Sequence, residues 1–414
     1  MQSDSSDVSS DDSSSGYEDV QSKHVNIVDT VKTHDDDDDD DEEEKDELVK
    51  KIEESQILKR DHPPDIELDE PAAKVCFHPN KNIILFGTME GNIISYNYNN
   101  ESNELLSTME MHEDSCRDLQ ISDDGQTFYS TSTDMSTQIV IVDFETEKWK
   151  RFYENAHDCP IYTTTIVDEN LFATGDDDGC VKLWDIRENT TTPIFSVEVT
   201  KNSVNSMLTN DDKEWLVCAS NSNVLTTLSL NTRQLIDSEE CGKDGLLTSL
   251  GIFKNGTKLV TTNNLGGMYI FQWGKFGAHV DYFVNKNKSP INCIVPITDD
   301  TFIAGENDGV LRAYGIGPNR CRGVVGQVHG RKNTIESLDH SGDGGLIACS
   351  SSNENYVQFW NINYFEDLSD DDNNSSNKNT ARKKKRGKKR RQPEKYLKSS
   401  KIQNRSAFFQ DLNE

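Results

Sequence analysis

One spacing restricts this chain more than any other feature. A small-polar or glycine turn followed by an alternating apolar strand recurs along it, as in FGTMEGNIISYN, TTNNLGGMYIFQ, AGENDGVLRAYG and SSSNENYVQFWN. Aligning those turns brings Tyr96, Val142, Trp184, Leu228, Phe271, Tyr314 and Trp360 to one shared position, at intervals of 46, 42, 44, 43, 43 and 46 residues. A unit of about 44 residues holds four strands of about 5 or 6 residues joined by short turns, the grammar of an antiparallel sheet. Repetition at that period is the mark of a propeller, in which each sheet buries its faces against its neighbours. The expected fold class is all-β, a seven-bladed β-propeller over residues 62–365. Disordered tails are expected at 1–61, acidic, and at 366–414, basic.

The clearest unit, HDCPIYTTTIVDENLFATGDDDGCVKLWDIR at 157–187, resembles the WD-repeat consensus. His157, Thr174, Asp178 and Trp184 match the tetrad by which WD repeats tie a blade's outer loop to its inner strands. These polar groups are read as structural, since a buried His–Asp pair is expected to be satisfied within the blade. A His, Asp and Thr together also suit a hydrolase, but no raised nucleophile or oxyanion hole is signalled. Other units keep only parts of the set: His112, Ser130 and Asp134 in the second, Asp308 in the sixth, His329 and Trp360 in the seventh. The fourth, ending in TTLSL, keeps almost none. Ring closure is expected from DIELD at 65–69, because NINYFEDL after Trp360 passes at once into SDDDNNSSNKN and offers little for a further strand.

Composition narrows the function classes. A net charge of −30 and a hydrophobic fraction of 33% argue against a chain that coats membranes or nucleic acid as a whole. No apolar run approaches the roughly 18 residues of a membrane span. The nine cysteines (Cys76, Cys116, Cys159, Cys180, Cys218, Cys241, Cys293, Cys321, Cys349) form no CxxC pair, so neither a zinc site nor a redox dithiol is expected. They read as small buried hydrophobes on strands, for example Cys180 beside Val181 and Cys218 beside Val217. With an opening rich in Ser and Asp rather than a basic and then apolar leader, they suggest a reducing intracellular setting. No phosphate-binding glycine loop is present. No catalytic residue, cofactor or metal is expected.

The tails differ in character. Residues 1–61 carry 22 acidic and 7 basic side chains, including the unbroken run Asp35 to Glu44. Serines directly upstream of acids in MQSDSSDVSSDDSSSGYEDV suit acidophilic kinases, and a solvated entropic tail is the plainer alternative. Leu48, Ile52 and Ile57 have near-helical spacing. At the other end Arg382, Lys383, Lys384, Lys385, Arg386, Lys388, Lys389, Arg390 and Arg391 put nine cations in ten positions, a pattern for import receptors or RNA phosphates. The final RSAFFQDLNE sets Phe408, Phe409, Asp411 and Leu412 in polar sequence, as a short docking peptide does.

The stretch PPDIELDEPAAKVCFHP, the turn GTMEGNIISY, the 157–187 repeat, the basic tail and the terminal FFQDL together resemble the WD-repeat protein 55 family, over residues 62–414. That resemblance implies a nuclear and nucleolar scaffold without enzymatic activity, needed for ribosomal RNA processing and large-subunit assembly. Its expected partners are pre-ribosomal assembly factors, with RNA contact indirect or through the tail, and with the chain monomeric inside larger complexes. A rival reading starts from Asp185 and Arg187 of WDIR, which resemble the box by which substrate receptors engage the adaptor of cullin ubiquitin ligases. An enzyme in the central funnel would need paired carboxylates or His ligands at the inner strands, and a chaperone for basic proteins would draw on Asp35 to Glu44.

Overall fold

The 28 strands of the described residues fall into seven antiparallel four-stranded sheets, so the all-β propeller expected from the repeat is the fold. The structure, a computed structural model, describes residues 61–134, 138–188, 190–241, 245–328, 333–351 and 353–365. The serine-rich tail, the 48–60 segment, Arg382 to Arg391, Phe408 to Leu412 and His329 lie outside the described residues. Blades 1 to 6 occupy 72–110, 116–153, 161–198, 204–240, 247–284 and 291–327, and blade 7 occupies 335–361. The seven aligned positions share one register. Each lies on a third strand opposite the second residue of the strand before it: Ile84 with Tyr96, Phe128 with Val142, Phe172 with Trp184, Leu216 with Leu228, Leu259 with Phe271, Phe302 with Tyr314 and Ile347 with Trp360.

Second strands such as Ile83–Thr88 and Trp215–Ser220 read as continuous apolar or small runs because neighbouring blades cover both of their faces. Outer strands such as Asn103–Glu110 and Gln234–Glu240 are mostly exposed and correspondingly polar. Core clusters join adjacent blades: Ala173, Val181 and Leu183 of blade 3 pack with Met207, Leu216 and Leu228 of blade 4. The ring closes as the DIELD segment implies. Ile66–Glu67 pairs with Glu354–Asn361 as the fourth strand of blade 7, Ile66 opposite Val357 and Glu67 opposite Tyr356. Side chains extend this short pairing, with Asn361 Nδ2 donating to Asp61 Oδ2 at 2.8 Å.

Each innermost strand has a strand neighbour on one edge only, so the other edge turns unpaired backbone groups toward the central channel. Polar side chains bridge every junction, and at all but the one between blades 1 and 2 they meet those backbone groups. Ser337 accepts from Val75 N (3.1 Å) and Asp339 from Phe77 N (2.7 Å) between blades 7 and 1. Lys74 pairs with Asp118 at 2.9 Å, and Asp118 accepts from Thr164 N. Thr165 donates to Met207 O, Asn205 to Leu247 O, Thr248 to Ile291 O and Asn292 to Ile335 O, at 2.6–3.0 Å. At about 1 kcal/mol for each bond, these stitches hold the ring shut at its hub.

Candidate functional site

Strand alternation decides how blade 3 is tied together. Thr174 and Asp176, two residues apart on Leu171–Asp176, point to the same face and meet His157 from the preceding loop and Trp184 from Cys180–Asp185. His157 Nδ1 donates to Asp176 Oδ2 at 2.8 Å, Thr174 Oγ1 donates to His157 Nε2 at 2.7 Å, and Trp184 Nε1 donates to Thr174 Oγ1 at 2.8 Å. Every donor has an acceptor in this chain only if the imidazole is neutral. Burial holds the His157 pKa below its ordinary value despite the nearby Asp176 carboxylate. Cys180 Sγ also lies close to His157 and Asp176. Both imidazole nitrogens are already committed, so the group reads as a fastening and not as a base or a metal site.

The acid of this network is Asp176 and not Asp178, which corrects the sequence reading. Asp178 sits exposed in the following turn, where it accepts from Cys159 Sγ at 2.8 Å. Asp176 also closes that turn by accepting from Cys180 N at 2.7 Å. Gly179 completes it with φ +84°, and a Cβ there would lie 2.4 Å from Thr200 O.

Blade 2 is a looser version. His112 Nε2 is hydrogen-bonded to Ser130 Oγ, but Asp134 Oδ2 stands 3.8 Å from His112 Nδ1, beyond hydrogen-bond reach. Val142 fills the Trp184 position. In blade 6 Asp308 is not the buried acid that the sequence suggested. Glu306, fully buried, holds the position of Asp176, and Asp308 pairs with Arg312 nearer the surface at 2.7 Å. Glu306 also takes the Arg312 guanidinium, the Tyr314 hydroxyl at 2.6 Å and Asn285 Nδ2 at 3.2 Å. Burial pushes the Glu306 pKa up, against the pull of Tyr314 and Arg312. Asn285, Glu306, Arg312 and Tyr314 escaped a reading tuned to His, Thr and Trp. A Glu at the end of the apolar run FIAGE, with Arg six and Tyr eight residues on, was the available signal.

In blade 7 Trp360 has the register of Trp184 but is only partly buried, and its indole crowds Gly326, where a Cβ would meet Nε1 at 2.2 Å. Blade 4 has Cys218 and Leu228 in the places of Thr174 and Trp184, both buried in an apolar cluster. Cys116, Cys218, Cys241 and Cys349 are buried, and burial pushes the thiols of Cys116 and Cys241 up to about 12. Cys321 is exposed. Asp185 ends the third strand of blade 3 and Arg187 sits in the turn just past it. The Arg187 guanidinium folds onto its neighbour, with Nη2 to Asp185 Oδ2 at 2.6 Å and Nε to Oδ1 at 2.9 Å, which holds the Asp185 carboxyl below its ordinary range.

Residues 63–365 match the family model WDR55. Over 354 residues the chain is 40% identical to a "WD repeat-containing protein 55 homolog" of Drosophila persimilis, an alignment covering 85% of this chain and 66% of that relative. It is 39% identical over 368 residues to the protein of that name in Drosophila willistoni (89% and 69%), and 38% identical over 326 residues to that of Aedes aegypti (78% and 67%). The chain thus spans about two thirds of the length of the relatives it matches.

Proposed function

This chain belongs to the WDR55 family of WD-repeat proteins, and from that premise we propose that its propeller is a docking scaffold of the nucleolus that supports ribosomal RNA processing and ribosome assembly. The WD propeller carries the scaffold part of the reading. Its polar networks are spent inside and between blades, which leaves a rigid frame that displays loops to protein partners. The nucleolar part is supported by the nine cations of Arg382 to Arg391, a sequence suited to import receptors and to RNA phosphates. Pre-ribosomal assembly factors are the proposed partners.

The test is to localise the tagged chain beside a form whose residues 382–391 are neutral and polar, and to identify the proteins and RNA that purify with each. Nucleolar staining that is lost on replacement, with pre-ribosomal factors and unprocessed ribosomal RNA recovered from the parent, is the expected result. Cytoplasmic staining with a cullin adaptor as chief partner defeats it. One observation favours that second reading: the Arg187 side chain is 65% exposed on a blade surface. Its pairing with Asp185 must open before the guanidinium can engage an adaptor, so Arg187→Ala should abolish adaptor recovery if that contact is made.

A further inference from the structure

Four outer strands carry a one-residue bulge at the same register. The pairing skips Leu106 in blade 1, Lys150 in blade 2, Ile236 in blade 4 and Arg322 in blade 6, each beside the position aligned with Trp184. A bulge frees its extra residue from the ladder and re-aims the side chain. In blades 2 and 6 the freed residue is a cation with a carboxylate to meet, Lys150 with Asp143 at 3.2 Å and Arg322 with Asp300 at 3.0 Å. In blades 1 and 4 it is an aliphatic side chain left in water, Leu106 49% exposed and Ile236 50%. Each aliphatic bulge opens on a groove toward the next blade, of about 280 Å³ at Leu106 and about 550 Å³ at Ile236.

The two grooves differ in charge. Beside Leu106 stand Glu145 and Glu147, and the one lysine there, Lys81, is already paired with Glu145 at 3.5 Å. Beside Ile236 the walls are Trp215, Phe276 and Val280, the last 54% exposed, and Lys275 has no carboxylate partner among the described residues. Asp237 is the acid of that groove, so its charges balance while those beside Leu106 are net negative.

We infer that the groove between blades 4 and 5 takes the chain's own C-terminal peptide, with Phe408 and Phe409 against Trp215, Ile236 and Val280 and with Asp411 toward Lys275. Three observations select this occupant. The peptide pairs two aromatic rings and Leu412 with acids, which matches an apolar floor bearing an available cation and mismatches the acidic groove of blade 1. The groove is lined by the loop after Gly267–Gln272, the third strand of blade 5, and the chain leaves blade 7 after its own third strand, Glu354–Asn361, hence at the same end of the blades. Residues 366–407 then span up to about 140 Å when extended, ample to pass from blade 7 to blade 5. Tethering supplies the peptide at an effective concentration on the order of millimolar, so modest affinity is enough to fill the groove.

The full-length chain carrying a photo-crosslinking phenylalanine analogue at position 409 tests this. Expected is an intrachain link to the segment around Ile236 or to residues 273–280, reduced about tenfold or more by Ile236→Glu and left unchanged by Leu106→Glu. Both substitutions fall on exposed positions, and unaltered thermal melting of each variant will show that the blades persist. Links only between two copies, links to other surfaces, no link at all, or equal loss in both variants each overturn the assignment.

Discussion

In blade 3 the strands are fastened by a run of neutral donors that ends on Asp176. In blade 6 the same space holds Glu306 between Arg312, Tyr314 and Asn285. Both arrangements satisfy a buried carboxylate at the end of the second strand, one through an imidazole and the other through a guanidinium. The lesson is that the register fixes where a fastening is needed while leaving its chemistry open. Blade 4, which places Cys218 and Leu228 at the corresponding sites, shows that apolar packing also serves there.

The contrast is sharpest if the counter-charge of blade 6 is removed. Arg312→Met leaves Glu306 buried without its cation and should cost about 3–5 kcal/mol in urea unfolding, with much of the loss recovered in Arg312→Met/Glu306→Gln. No recovery in the double variant would sink the charge-pair account. Next in size, Thr174→Ala strands the Trp184 and His157 nitrogens, each unpaired group costing about 1–2 kcal/mol, the lower part of the usual range, for about 2–4 in all. The register-equivalent Cys218→Ala in blade 4 removes only a small apolar group and should cost about 1 kcal/mol. Equal losses at the two sites would erase the distinction between the blades. Asp176→Asn should cost about 1 kcal/mol more than Asp134→Asn, since only Asp176 reaches its histidine.

The smallest effect is a difference in the sign of the pH response. His157 has a folded pKa below its unfolded value of about 6.5, so its contribution is complete above that pH and is lost as pH falls below it. Glu306 is shifted upward, so the stability linked to its protonation is present at low pH and lost as pH rises through its folded value. The Arg312→Met penalty should therefore shrink on moving from pH 8 toward pH 5. A His157→Gln chain should show a shallower loss of melting temperature than the parent over that interval. Parallel slopes in all three proteins would contradict the assignment of these two groups.

Much of this fold was legible before any coordinates. The aligned positions from Tyr96 to Trp360 mark a real register because a turn motif and strand length recur together, and DIELD stood out as the strand that the end of the repeat lacked. The networks were less legible. In TGDDDG three consecutive acids compete, and the WD-repeat consensus selects Asp178, whereas the period-two alternation from Thr174 points to Asp176. Blade 6 was missed because its residues are of other types, although Glu306, Arg312 and Tyr314 keep the even spacing of one face. Ile236 gave no signal at all, since a bulge is an extra residue within a strand and leaves an apolar pattern looking ordinary.

The closure by Ile66–Glu67 also sets a timetable for the birth of the molecule. Asp65 and its partner Gln358 lie 293 residues apart, so at about 5–20 residues per second the ribosome needs about 15–60 s to deliver the rest of the last blade. Throughout that interval the first strand waits, and Ile66, buried in the finished ring, lacks its ladder partner Val357 and the side of its core cluster formed by Ala348 and Phe359. Every other sheet is assembled from contiguous chain and can form as it emerges. A product that stops before residue 356 is therefore not a smaller propeller but an open one, with a greasy strand at its beginning and an unfilled edge at its end.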